Sequence, residues 1–254
     1  MSASTSTLQF RHHTQQIPFT RPFVWLVMAW DDLLLHRSAS LAYGVMVSLL
    51  GALILAYDRN PIYVAGAVVA FMLAGPIITA GLCELSRSRD HGEVSDFQSS
   101  LSALRVNRGH LMSFAQVLAG VTLLWFGVIA ALLYLQTGTI SPNLASTVGG
   151  DVLRQLSQDQ VIAYSAALGI LGVVVLALSV VTVPMIIEHH VDAGTAMRVS
   201  LDVVRHNFAA MIVWAALILT LVFVGFATSL WAMVVIFPLL GHATWCAYRD
   251  LVAQ

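Results

Sequence analysis

Two textures alternate along the chain: long stretches without a charge, and shorter ones in which apolar and polar positions follow a helical period. The second texture appears three times. From Pro22 to His36, the residues Phe23, Leu26, Val27, Trp30, Leu33 and Leu34 form one apolar stripe, with Asp31, Asp32 and His36 outside it. Phe97, Leu101 and Leu104 are spaced i, i+4, i+7, and Met197, Leu201 and Val204 repeat that spacing. Residues so spaced share one helix face. Each segment predicts a helix lying in the membrane interface, because aspartates such as those at 31 and 32 are costly inside hydrocarbon. Pro22 suits a first helical position, and Ser95-x-x-Gln98 has the form of a capping box.

The uncharged stretches predict six membrane-spanning helices. Ser40 to Tyr57 is near the lower length limit for a crossing, and its Ser40, Gly44 and Ser48 form a small-residue seam for close packing. The next runs from Pro61 to about Leu85, with a kink at Gly75-Pro76. A third covers about 109–135 and a fourth about 161–187. Phe208 to Gly241 holds no ionisable residue and is too long for one crossing of roughly 20 residues. It is expected to break at Ala227-Thr228-Ser229, giving spans of about 208–227 and 230–248.

The pattern repeats. Ser100-Leu101-x-x-x-Arg105-x-Asn107 matches Ser200-Leu201-x-x-x-Arg205-x-Asn207, and Asp31 stands where Asp202 stands. Pro76, Pro184 and Pro238 each fall in the second apolar helix after an amphipathic segment, as three helix kinks. The fold expected is all-α: a polytopic membrane protein of six transmembrane helices in three pairs, each pair preceded by an amphipathic interfacial helix on the cytoplasmic side. Residues 1–20 read as a mobile polar tail without the features of a signal peptide. Residues 21–254 read as a single membrane domain of repeat units at about 21–86, 94–190 and 193–251.

Composition agrees. The chain is 58% hydrophobic and 10% charged, against roughly 25% charged in soluble domains. A net charge of −1 gives no basic field for nucleic acid. All basic residues are arginines; with both termini cytoplasmic, ten lie inside and two, Arg59 and Arg154, outside, as the positive-inside rule requires. Tyr57, Tyr63, Tyr134, Tyr164 and Trp231 fall at the outer interface, and Tyr43, Trp245 and Tyr248 at the inner one. Cys83 and Cys246 belong to no CxxC pair and read as reduced, buried thiols.

Chemistry is sparse. No nucleophile motif, phosphate-binding glycine loop or carboxylate pair placed for acid–base work is present, so neither enzymatic activity nor a cofactor is expected. The polar interest lies at the cytoplasmic face, where Glu84, Glu188, His189, His190, His206 and His242 are brought near one another by the repeats. Glu188, His189, His190 and His242 are weak metal candidates: carboxylate and imidazole bind zinc, but no spacing matches a ligand pair. His242 is the one ionisable residue well inside an apolar run and is a functional candidate on that ground; a bond to a carbonyl freed by Pro238 is the plainer account. Arg105 and Arg205, with Asn107 and Asn207, are candidate functional or lipid-facing residues. Pairing with Asp96 or Asp202, or snorkelling, is the simpler role for the arginines; lipid phosphate is the other.

The stretches PLLGHATWCAYRDLV, SLDVVRHN and LAYGVMVSLLGALI resemble a bacterial family of integral membrane proteins catalogued as domain of unknown function 2189, over about residues 20 to 252. The family has no established activity. A cytochrome c oxidase subunit label on some members finds little support here, since oxidase haem is held by histidines deep in the bilayer. The expected role is a non-enzymatic scaffold, assembly or envelope-homeostasis factor of the bacterial inner membrane. Its partners are membrane lipids, and a membrane protein or a second copy of the chain. The alternatives are a transporter or channel for a neutral substrate, and a metal- or haem-associated accessory subunit.

Overall fold

A computed structural model describes residues 15–56, 61–93, 95–137 and 157–252, and every regular element among them is an α-helix. In chain order these are α1 (Arg21–Leu35), α2 (Arg37–Ala56), α3 (Pro61–Asp90), α4 (Phe97–Thr137), α5 (Gln158–Ser179), α6 (Thr182–His189), α7 (Ala193–His206), α8 (Phe208–Ala227) and α9 (Met233–Leu251). The expected outer turn at 58–60 and most of the outer loop after Thr137 lie outside the described residues.

Among the described residues, four segments are long and apolar enough to cross a membrane: Arg37–Ile54, Phe97–Ala131, Gly169–His189 and Phe208–Ala227. The two further spans expected fall on α3 and α9. The α3 side chains from 61 to 74 lie outside the described residues, and α9 carries His242, Arg249 and Asp250. The expected break after residue 227 is present: α8 ends at Ala227, and a turn with Ser229 at φ 51 and Leu230 at φ 70 leads into α9.

The amphipathic segments end differently. A single non-helical residue, His36, separates α1 from α2, and Asn207 separates α7 from α8. No such break occurs at Asn107. The second interfacial helix and the third span are one continuous helix of 41 residues, about 60 Å at 1.5 Å per residue. That is roughly twice the hydrocarbon thickness, so α4 projects well beyond a bilayer. Its cap is shifted by one residue from the one expected at Ser95-x-x-Gln98. Asp96 accepts from Ser99 N–H at 2.8 Å, and Ser99 Oγ accepts from Asp96 N–H at 2.8 Å. A short acceptor side chain at the residue before the helix satisfies an orphan N–H there, and Asp96 does so where Ser95 does not. Asp192 caps α7 in the same way through Thr195 N–H at 2.9 Å.

The prolines act differently too. Pro76 and Pro238 lie inside continuous helices, whereas α5 and α6 part at Val180-Val181, just before Pro184. A proline ring clashes with the carbonyl four residues back, and for Pro184 that carbonyl belongs to Val180. For Pro238 it belongs to Val234, whose oxygen occupies the place a Cβ on Gly44 would take.

Helix α9 is the hub, packed on α1, α2, α3 and α8, while α3 packs on α4 and α6, and α7 on α5 and α6. The small-residue seam of α2 faces it: Ser40 meets His242, Gly44 meets Val234, and Ser48 Oγ donates to Leu230 O at 3.2 Å. Tyr43, Trp245 and Tyr248 are buried inside this packing rather than placed in an inner interfacial belt. Each ring's polar atom has found a protein partner there, which removes the reason for an aromatic residue to sit at the water boundary. Trp231 and Tyr134 are exposed, as a membrane boundary allows.

Candidate functional site at the arginine-rich end

At one end of the bundle the starts of α2 and α4 meet the ends of α3, α6, α7 and α9. The deepest feature there is a chain of side-chain hydrogen bonds through His242, which is fully buried. Its Nε2 lies 2.8 Å from Ser40 Oγ and its Nδ1 lies 2.7 Å from Ser86 Oγ. Ser86 Oγ in turn donates to Asp32 Oδ2 at 2.6 Å, and Arg89 pairs with the other oxygen of Asp32.

Proton counting fixes the direction of this chain. A hydroxyl carries one proton. Ser86 spends its proton on Asp32, so it can only accept from His242, and Nδ1 bears the imidazole proton. Nε2 is then an acceptor in the neutral ring, and Ser40 donates to it. Donors run from α2 through α9 and α3 to the carboxylate on α1, and the Arg89 guanidinium closes the series. Every buried polar atom along it is satisfied, which is the condition for such a network to stabilise a core.

Asp32 was expected off the buried face of its helix, and that expectation is corrected: it is 5% exposed. The protein-facing positions of α1 are Pro22, Trp25, Ala29, Asp32 and Leu33; the first four are spaced as are Ala193, Ala196, Ser200 and Val203, the buried positions of α7. The larger apolar residues Phe97, Trp30, Leu101, Leu201, Met197 and Val204 remain partly or largely exposed. Small residues make most of the protein contact of α7, whereas α1 also buries Trp25 and Leu33; Phe23, Val27, Trp30 and Leu34 of its apolar stripe face outward.

The repeated motif residues take separate partners. Tyr43 OH donates to Ser100 Oγ at 2.8 Å, since Ser100 spends its own proton on Phe97 O. Ser200 Oγ donates to Ala177 O at 2.7 Å. Asn107 Oδ1 holds His190 Nδ1 at 2.7 Å; Asn207 Oδ1 accepts from Ile17 N–H at 2.9 Å and its amide donates to Gln15 O at 2.9 Å. Residues 15–17 of the expected tail are thus fastened to the body.

The histidines and carboxylates do not gather at one point. His189 Nε2 meets Tyr248 OH at 2.9 Å. His190 ends α6 in the left-handed region, at φ 53. Glu188 lies 3.3 Å from His91 and 3.9 Å from Arg87, which also holds Glu84 at 2.8 Å. His206 pairs with Asp202 at the surface. Among the described residues no three His, Cys, Asp or Glu side chains are placed to hold a metal ion. Cys83 and Cys246 are free and buried. His242 bonds to serines rather than to a carbonyl freed by Pro238.

The arginines divide into two sets. Arg21, Arg87, Arg89 and Arg249 are committed to carboxylates: Asp250, Glu84, Asp32 and Asp90. Their carboxylate partners, through hydrogen bonds above all, hold the first three above the ordinary arginine value. Trp25 Nε1 also donates to Asp250 and Trp245 Nε1 to Asp90, at 2.7 and 2.6 Å. Arg37, Arg105, Arg108, Arg198 and Arg205 are exposed and make no ion pair among the described residues. Asp96 is used as a helix cap and Asp202 by His206, so neither offers the pairing expected for Arg105 and Arg205.

Residues 63–188 match the family described as predicted integral membrane protein, domain of unknown function 2189. Over that segment the chain belongs to this family. The match spans α3 to α6, a shorter range than the expected 20 to 252, and the three stretches that carried the resemblance lie outside it. No curated protein and no solved structure matches the chain. Membership establishes an integral membrane protein and leaves the activity open. Of the polar chain, Ser86 falls within the family segment, while Asp32, Ser40 and His242 lie outside it. Ser86 and Asp32 were missed by sequence reasoning, since neither stands in a motif and nothing linear links residues 32, 86 and 242.

Proposed function

We propose that the protein is a non-enzymatic scaffold or assembly factor of the bacterial inner membrane. Its arginine-rich end faces the cytoplasm and engages anionic lipid headgroups through Arg37, Arg105, Arg108, Arg198 and Arg205. The observation that carries this reading is the division of the arginines among the described residues: four are paired with carboxylates and five are left exposed toward the arginine-rich end. An unpaired guanidinium at that level is suited to lipid phosphate, which it can hold by two parallel hydrogen bonds. The half-exposed apolar faces of α1, the start of α4 and α7 support the same placement, because such faces lie in the headgroup boundary. The matched burial of α1 and α7 supports a construction from repeated units, and six spans in three pairs remain part of this proposal. The polar chain through His242 acts as an internal latch: it is closed on itself and leaves no group to turn over a substrate.

The test is native mass spectrometry of the full chain extracted in its own lipids, beside a variant with Arg37, Arg105, Arg108, Arg198 and Arg205 all changed to Gln. Phosphatidylglycerol adducts on the wild type, lost or strongly reduced in the variant while its melting temperature holds, are expected. Equal adducts on both proteins would overturn the headgroup assignment. Vesicle flux of a neutral solute that stops on His242→Ala would replace the scaffold reading with transport.

A further inference from the structure

Between α2 and α8 a cavity of about 410 Å³ opens sideways. Its walls are Gly51 and Ile54 on one side and Val222 and Phe226 on the other, and Met233 and Phe237 of α9 form the floor. Both walls lie within segments able to cross a membrane, or at their ends. The cavity thus lies beside membrane-crossing segments and away from the arginine-rich end. Gly51 contributes no side chain, and a Cβ there would come within 2.8 Å of Leu230. Two hydroxyls, from Thr79 and Thr244, reach the lining, and that of Thr244 is already donated to Leu240 O at 2.8 Å. Among the described residues no charged side chain lines it.

We propose that this cavity is a binding site for one acyl chain of a membrane phospholipid. Three observations select that occupant. Among the described residues the lining offers no charged group to a polar substrate or headgroup. Water gains little in an apolar space where it lacks two or more hydrogen-bond partners. The medium beside membrane-crossing segments is hydrocarbon, and leaving apolar walls without neighbours forfeits their dispersion contacts. The volume is within the roughly 300–1,000 Å³ of small-molecule sites, which suits one chain and not a whole lipid. The headgroup would remain outside, so this site is independent of the five exposed arginines and is tested apart from them.

The full chain is reconstituted in vesicles of phosphatidylethanolamine and phosphatidylglycerol containing a phosphatidylethanolamine with a diazirine midway along one acyl chain. After irradiation the crosslinks are mapped by peptide mass spectrometry. Met233 and Phe237 on the floor should label several-fold more than Leu219 and Phe223, which face outward on α8. Val222→Phe and, separately, Ile54→Phe should abolish that excess while leaving labelling of Leu219 unchanged. Uniform labelling of floor and outward residues in the wild type, meaning surrounding lipid only, would overturn the proposal. So would an excess that neither filling variant reduces, or one displaced by stoichiometric free oleate yet not by excess unlabelled phospholipid.

Discussion

Asp32 is a carboxylate held at 5% exposure on a helix that lies against the bundle. A buried charge is tolerated when it is paired and its lone pairs are used, and here Ser86 and Arg89 use them. Asp32→Ala removes both acceptors at once and turns Ser86 back on His242. Because Arg89 is partly exposed and can rehydrate, the expected loss is modest, about 1–3 kcal/mol, read as a fall in melting temperature in detergent. Unchanged melting would mean that the chain through His242 contributes nothing to stability. The neighbouring His36 adds a pH term. Burial first, and Arg89 after it, push its imidazole below the ordinary value, against the pull of Asp32. The unfolded chain therefore takes up the proton first. His36 leaves stability untouched above about pH 6.5 and erodes it as the pH falls from there to the depressed native value, with no further change below. His36→Gln should flatten that part of a melting-against-pH curve; a curve identical to wild type would refute the assignment. Neither residue's role was legible in the sequence, where Asp32 and His36 looked like the wet side of a helix. The information that reverses this sits on Ser86 and Arg89, more than fifty positions away, and no periodicity links them.

At the scale of elements, α2 and α9 come together backbone to side. Gly44 is the contact that permits it, because the Val234 carbonyl released by Pro238 fills the space a methyl would need. Gly44→Ala should force the helices apart and cost about 1–3 kcal/mol, the usual range for overpacking, whereas Gly120→Ala on α4, with open space around it, should be neutral or slightly stabilising. Equal melting of the two variants would contradict this account of the seam. The seam itself was readable: Ser40, Gly44 and Ser48 recur every four residues, and small residues mark close packing. The turn after Ala227 was readable from length alone. The missing break at Asn107 was not, since Asn107 and Asn207 share a motif and diverge only in what reaches them from outside, His190 in one case and Ile17 in the other.

At the scale of the whole molecule, composition settled the membrane class, and the arginine count suggested a side for each loop. It could not sort the arginines into those neutralised internally and those left free, because the carboxylates that decide this are brought from distant segments. Arg21 depends on Asp250, and Arg249 on Asp90. The same held for Trp245 and Tyr248, which resemble boundary aromatics in sequence and are core residues once α9 is surrounded on several sides.

The fastening of Gln15, Ile17 and Arg21 to Asn207, Asp250 and Leu251 also fixes an order of events during biosynthesis. The ribosome delivers Gln15 first and Leu251 more than two hundred residues later. At roughly 5–20 residues per second the interval is on the order of ten seconds or more. Throughout it the first segment has no docking site, and α1 lacks the carboxylate that holds Arg21 and Trp25. The arginine-rich end therefore closes last, whichever span inserts first, and a chain halted before α9 would leave that end open to proteases and chaperones.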